Sequence, residues 1–155
     1  MAVPANRLYL PSVGTGLAGS YFNNTTLSGT PVLTRTEAID FSWGSGSPAA
    51  VVATNNFSAR WSGTLNPTTT GTYRFQTVSD DGARVWVNGV RIINNWKAHS
   101  NTTDTSSNVS LVAGQRVTIV VEYFERSSSA TMRLLWRLPG STPYVAIPAA
   151  SLYVN

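Results

Sequence analysis

The sequence has no cysteine and a single histidine, and only 12% of its 155 residues are charged. Without cysteine there is no disulfide, thiolate nucleophile or cysteine metal site. His99 has no second histidine or cysteine with which to share a zinc ion. No apolar run is long enough for a transmembrane helix, so we expect no membrane insertion. No signal peptide is visible at the N-terminus either.

Acidic residues are few: seven, against eleven lysines and arginines, for a formal net charge of +4. The basic residues are scattered, so they predict a solvated surface and no nucleic-acid partner. Low charge with abundant threonine, serine, asparagine and glycine is typical of extracellular β-proteins. We therefore expect a secreted or cell-surface location.

Enzyme signatures are weak. A serine triad would have to use His99, and no Gly-x-Ser-x-Gly elbow flanks a candidate serine. Glycosidase chemistry needs two carboxylates about 5–10 Å apart across a sugar bond, whereas Asp80 and Asp81 are adjacent in the chain. Glu122 lies in the middle of a predicted strand, where a cross-strand arginine is its expected partner. The sequence predicts a protein that is not an enzyme.

The chain length suits one domain with a hydrophobic core. Residues 1–15, which are rich in proline and glycine, are predicted to be a linker or N-terminal extension, and residues 16–155 a single β-domain. Alternation of polar with aromatic or branched residues predicts strands near residues 32–35, 39–43, 57–65, 72–79, 83–88, 90–93, 117–123 and 132–138.

Turn signals separate these strands. Asn88-Gly89 lies between two apolar runs and is a strong predictor of a β-hairpin. No segment keeps a helical period for three turns. The pattern predicts an all-β fold, an antiparallel β-sandwich or barrel, with the large aromatic residues in or beside the sheet core. These aromatic residues are Trp61, Tyr73, Phe75, Trp86 and Trp136.

The most informative feature is Asp80-Asp81-Gly82, at the end of a predicted strand. One interpretation is a plain turn, because aspartate bonds its own backbone and glycine accepts positive φ. The other is a site for a hard divalent cation such as Ca²⁺, because two neighbouring carboxylates repel each other unless a positive charge lies between them.

Short motifs in a fixed order decide between these interpretations. The chain resembles the anthrax protective-antigen fourteen-kilodalton domain family, a β-sandwich module of bacterial toxins, glycosidases and yeast adhesins. The resemblance implies a jelly-roll-like sandwich. The matching motifs are residues 16–22 (GLAGSYF), 57–63 (FSARWSG), 71–75 (GTYRF), 79–89 (SDDGARVWVNG), 95–96 (NW) with His99, 111–115 (LVAGQ), 121–125 (VEYFE) and 132–136 (MRLLW).

The resemblance to the lectin-like members of this family gives the acid pair a function. In those members two consecutive aspartates joined by a cis peptide bind Ca²⁺, and the ion accepts two sugar hydroxyls. Asp80 and Asp81 match that pair. In the yeast adhesins a second loop adds an asparagine side chain and two backbone carbonyls. Here Glu125 takes the asparagine position, and Ser127 and Ser129 would offer the carbonyls. Glu125 would otherwise pair with an arginine or be a solvated loop residue.

Neighbouring residues would then contact the sugar. Arg126 and Ser128 are candidates for hydrogen bonds to it, alongside Asp80 and Asp81. Trp96 would stack on a pyranose ring or pack beneath its loop, and His99 would stabilise its loop or, as the lesser alternative, contact the sugar. The prediction is a non-catalytic, Ca²⁺-dependent carbohydrate-binding module, monomeric within a larger secreted or cell-surface protein. Its partner would be a mono- or oligosaccharide. The alternative is a structural or protein-interaction β-sandwich without sugar binding, which would use its sheet face or loops without an ion.

Overall fold

A computed structural model describes residues 13–155, so residues 1–12 of the predicted N-terminal extension lie outside the described part. The described chain is built from thirteen strands and one short 3-10 helix, Ala149–Ser151. No helix within residues 13–155 has the length and apolar character needed to cross a bilayer. The strands are β1 Leu17–Phe22, β2 Leu33–Glu37, β3 Asp40–Gly44, β4 Phe57–Leu65, β5 Gly71–Asp80, β6 Ala83–Val87, β7 Val90–Asn95, β8 Thr102–Thr105, β9 Val109–Leu111, β10 Val117–Glu125, β11 Ala130–Arg137, β12 Val145–Ala146 and β13 Leu152–Tyr153.

The strands form two antiparallel sheets, which confirms the predicted β-sandwich. The seven-stranded sheet has the order β2-β1-β4-β10-β6-β7, with β13 added beside β4. The six-stranded sheet has the order β12-β11-β5-β8, with β3 beside β11 and β9 beside β5. All eight predicted strands are present, each with bounds within two residues of the prediction. Five short or atypical strands (β1, β8, β9, β12 and β13) were not predicted from the alternation pattern.

The core lies between the sheets and is dominated by aromatic side chains. Trp61 of the seven-stranded sheet and Phe75 of the six-stranded sheet are fully buried, as predicted, while Trp86 is half-buried. Trp43 joins the two layers, with its ring centroid 5.8 Å from that of Phe57 and 6.0 Å from that of Tyr123. Such edge and tilted ring contacts stabilise the sandwich beyond simple burial of area.

The predicted hairpin at Asn88-Gly89 is confirmed. Both residues have positive φ, 52° and 78°, the conformation that a two-residue hairpin turn requires. The cross-strand prediction for Glu122 is also confirmed. Its two carboxylate oxygens accept hydrogen bonds from Arg60 Nε at 2.7 Å and Arg84 Nε at 2.6 Å, one from each neighbouring strand.

Strand register places the functional residues at one end of the sandwich. Asp80 pairs with Thr131 at the start of β11, and Glu125 pairs with Phe57 at the start of β4. The two-residue connection from β5 to β6 therefore lies beside the end of β10. Backbone hydrogen bonds fix it there: Asp81 N–H donates to the Phe124 carbonyl, and Phe124 N–H donates to the Gly82 carbonyl, at 3.2 and 3.1 Å.

Candidate metal centre

Asp80 and Asp81 are joined by a cis peptide bond, as the family resemblance implies. Asp80 ends β5 and is half-buried, whereas Asp81 is only 6% exposed. Gly82, which follows them, does not have positive φ, so the turn conformation for which the plain-turn interpretation needed a glycine is not present. Gly82 is needed instead for clearance, because a Cβ there would lie 2.3 Å from the Phe124 ring.

Two loops hold the Asp81 carboxylate through backbone donors. His99 N–H donates to Oδ1 at 3.0 Å, and Arg126 N–H donates to Oδ2 at 2.8 Å. His99 comes from the β7–β8 loop and Arg126 from the β10–β11 loop, so one side chain ties three connections together. The Tyr123 hydroxyl donates to the Asp80 carbonyl at 2.5 Å and fixes the other half of the pair. The carboxylates are thus positioned by the protein before any ligand arrives.

Glu125 completes an acidic triad with the aspartate pair. Ligand atoms of Asp80, Asp81 and Glu125 lie within 4.8 Å of one another. Glu125 is fully buried, and neither of its carboxylate oxygens has a hydrogen-bond donor among residues 13–155. The predicted alternatives of an arginine partner or a solvated loop position are therefore not what the structure shows. A buried carboxylate without a donor needs a proton or a cation.

The electrostatics of the triad point the same way. Burial raises the pKa of Glu125 to about 8, with further increases from the Asp81 contact and the charges of both aspartates, and the backbone N–H of Arg126 partly opposes this rise. Burial, and then the charge of Asp81, raise the pKa of Asp80, which His99 partly opposes. Burial and the three carboxylates also raise the pKa of the Tyr123 hydroxyl. No lysine or arginine of the described chain forms a salt bridge with the triad.

The triad lies beside an open cleft of about 380 Å³, lined by Asp80, Asp81, Ala98, His99, Ser100, Ser127 and Ser128. Ser127 is thus brought to the site, as is Ser128, whose φ of 73° is in the left-handed region. Ser129 is exposed in the same loop, but it does not line the cleft. An ion held by three carboxylates here would keep part of its coordination open to solvent.

Trp96 and Arg126 lie next to this cleft rather than in it. Both line a neighbouring cleft of about 530 Å³, together with Thr25, Thr26, Asn56 and others. The Trp96 ring packs edge-on against Phe124, with centroids 4.8 Å apart, and the Arg84 guanidinium lies 3.9 Å from its centre. Trp96 is therefore half-buried by packing, as one of its two predicted roles requires, and it also lines the second cleft.

Sequence reasoning missed the backbone donors to Asp81 and the role of the Tyr123 hydroxyl. Every residue except proline has a backbone N–H, so the residue types gave no indication that those of His99 and Arg126 donate to the Asp81 carboxylate. The tyrosine did carry a signal, because it directly precedes the Phe124-Glu125 pair in a recognised motif. The His99 ring nitrogen Nδ1 lies 2.6 Å from the Ser100 carbonyl, in line with its predicted loop-stabilising role.

Comparison with known proteins places this site in a family context. The profile of the PA14 domain matches residues 14–149, which confirms the resemblance read from the motifs. Anti-sigma-I factor RsgI3 of Acetivibrio thermocellus is 37% identical over 140 residues, 90% of this chain and 21% of that protein. A solved anti-sigma factor domain-containing protein from Clostridium clariflavum is 33% identical with a TM-score of 0.87, over 95% of this chain and 50% of that one.

A third likeness concerns the fold alone. The PA14 sugar-binding domain from an RTX adhesin has a TM-score of 0.73 at 18% identity, covering 92% of this chain and 99% of that one. By contrast, this chain spans about a fifth of the RsgI3 protein and half of the Clostridium clariflavum chain.

Proposed function

The chain belongs to the PA14 domain family, and we propose that it is a non-catalytic module that binds glycans through calcium held by Asp80, Asp81 and Glu125. One observation carries the proposal. Glu125 is fully buried with both carboxylate oxygens unpaired, and it faces two further carboxylates within 4.8 Å. With all three carboxylates ionised, such a cluster is stabilised by a cation between them, and without a cation Glu125 holds a proton at neutral pH.

Calcium fits the donors better than a soft metal does. All of the side-chain donors are oxygens, and no cysteine exists in the chain to favour a soft metal. Carbonyls of the β10–β11 loop, those of Ser127 and Ser129 in our proposal, would add to the three carboxylates. Bound calcium would supply open coordination positions on the cleft side, where a pair of sugar hydroxyls can replace water.

The remaining residues of the cleft would orient the sugar. Ser128 lines the triad's cleft, and Arg126 and Trp96 line the neighbouring one, so they border the space that a second ring would occupy. The RTX adhesin domain is a sugar-binding domain, which supports this ligand class, although its likeness to this chain concerns the fold. A small exposed sugar offers few buried atoms, so single-site affinity should be weak, and repeated copies would add avidity.

In this proposal residues 16–155 form the module and residues 1–15 an N-terminal extension. The module is a monomeric part of a larger secreted or cell-surface protein, serving adhesion or the targeting of a glycan. Catalysis is not proposed. The three carboxylates cluster around one point within 4.8 Å, closer together than the pair that flanks a sugar bond in glycosidases.

A second candidate is a structural or protein-interaction module that binds no sugar. The relatives above 30% identity favour it, because both carry anti-sigma factor names and neither name mentions a glycan. On this ground the comparisons support the second candidate more than the first. The sequence suggested such a module without an ion, but the buried acidic triad favours a version in which a calcium ion fixes the three loops.

Titration calorimetry with a panel of mono- and disaccharides distinguishes the two candidates. Glycan recognition predicts heats of binding in calcium that vanish in chelator and in Asp81→Asn. The matched control is Asp40→Asn, which alters an exposed aspartate bonded to Arg133 far from the triad in sequence and should keep binding. If no sugar gives a heat of binding in calcium, while calcium still raises the melting temperature, the result would contradict glycan recognition and support the second candidate.

A further inference from the structure

The outer face of the seven-stranded sheet carries a continuous row of side chains that crosses all six strands of its main path. Trp86 lies between the buried Val85 and Val87, so strand alternation turns it away from the core. Cross-strand register then aligns its neighbours on the same face. The row, called here the Trp86 row, consists of Arg91, Trp86, Val120, Ser62, Ala18 and Thr36.

The Trp86 row forms a shallow track across the sheet, with the large Trp86 side chain near one end. Five steps between neighbouring strands give it a length of about 24 Å. At one end, the half-buried Trp86 forms a groove of about 300 Å³ with Gly89, Thr118, Val120 and Glu122. At the other end, Ala18 and Thr36 line a second shallow cleft of about 420 Å³. Val120 and Ser62 make up the floor between the two ends.

The charge beside the track is positive. Arg91 is exposed, lies across from Trp86, and has no carboxylate or hydrogen-bond partner within residues 13–155. In the next row of outward-facing side chains, Arg60 and Arg84 both form salt bridges with Glu122, so two guanidinium groups share one carboxylate. Arg84 also lies 5.6 Å from the centre of the Trp86 ring. The two rows together carry three positive charges and one negative charge.

We propose that the Trp86 row is a second carbohydrate-binding surface, independent of the acidic triad, for an extended polysaccharide that carries carboxylate groups. A pyranose ring stacks its C–H face on the indole of Trp86. Hydroxyls of Ser62 and Thr118 exchange hydrogen bonds with ring substituents, and Arg91 pairs with a uronate carboxylate. The track favours a chain of sugars over a folded protein because it is shallow and offers one large apolar group, Trp86, with the Thr118 hydroxyl beside it.

The test is calorimetry of the full chain in chelator at low salt, so that the acidic triad takes no part. The probes are hexamers of mannuronate, guluronate and galacturonate, with cellohexaose as the neutral control of equal length. We expect at least one uronate hexamer to bind in chelator and to weaken as salt rises. Trp86→Ala should raise its Kd about tenfold or more, and Arg91→Gln about threefold. Asp81→Asn should leave its Kd unchanged.

Arg91→Glu keeps the test decisive if Trp86→Ala folds poorly, because Arg91 is exposed and its replacement leaves the core intact. The charge reversal should abolish uronate binding. The proposal is wrong if no uronate hexamer binds in chelator, or if cellohexaose binds as tightly as the uronates. It is also wrong if Asp81→Asn removes the binding, or if a hexaglutamate peptide binds equally well, since the surface would then serve an acidic protein segment.

Discussion

Replacing Glu125 by glutamine should stabilise the calcium-free protein at pH 8. Burial and the neighbouring aspartates raise the pKa of Glu125 from an ordinary 4.5 to about 8. The folded state therefore holds a proton that the unfolded state has already lost. The stability from that proton is fully present below pH 4.5 and is lost as the pH rises toward 8. Glutamine carries no charge, so its stability should not fall over this range.

The size of the effect follows from the same pKa change. A rise from 4.5 to about 8 corresponds to roughly 4–5 kcal/mol between the protonated and ionised forms. The serine loop beside the triad is exposed and can relax around the charge, so we expect about half of that value. For a chain of this length, roughly 2 kcal/mol shifts the melting temperature by about 4–8 °C.

Thermal unfolding in chelator at pH 4.5 and at pH 8 measures the effect, and repeats in calcium measure the response to the ion. Glu125→Gln should melt above the wild type at pH 8 in chelator and lose most of the calcium response. Glu122→Gln is the matched control, because this glutamate lies in the same strand but is paired with two arginines. It should lower stability and keep the calcium response. A Glu125→Gln protein that melts below the wild type at pH 8 in chelator would refute the reasoning.

Three further substitutions test how the site and the hairpin are built. Gly82→Ala should cost about 1–3 kcal/mol, because its Cβ would lie 2.3 Å from the Phe124 ring; an unchanged melting temperature would contradict the close packing. Tyr123→Phe should cost about 1–2 kcal/mol in denaturant unfolding, because the Asp80 carbonyl loses a donor at 2.5 Å; unaltered stability would rule out that hydrogen bond. Gly89→Ala should cost about 1 kcal/mol by the same measurement, since φ there is 78°, and a neutral result would argue against the hairpin turn.

Strands were predictable where the alternation of apolar and polar residues in the sequence matches the burial of one face in the structure. Strand β4 was predicted with its observed bounds, because apolar and polar residues alternate along it and one face is buried. Strand β8 was missed because Thr102–Thr105 holds no apolar residue and is defined only by pairing with β5. Strand β1 was missed because glycine and serine interrupt its alternation, although its Ala18 is part of the Trp86 row.

The site was partly predictable for a related reason. Asp80 and Asp81 are conspicuous because adjacent carboxylates are unfavourable without a partner, and the family resemblance pointed to Glu125. The sequence does not show how the residues of the site are arranged in space. The burial of Glu125 and the backbone donors that hold Asp81 arise from strand register and loop approach, which residue types do not encode.

The most direct test of the account is a calcium titration of the intact chain by calorimetry, with Asp81→Asn measured in parallel. We predict one calcium ion per chain at pH 8, with binding lost in the variant. Binding should weaken as the pH falls below 8, since the ion must displace the proton on Glu125. A wild-type chain that takes up no calcium at pH 8, or a variant that binds it as tightly, would contradict the central claim.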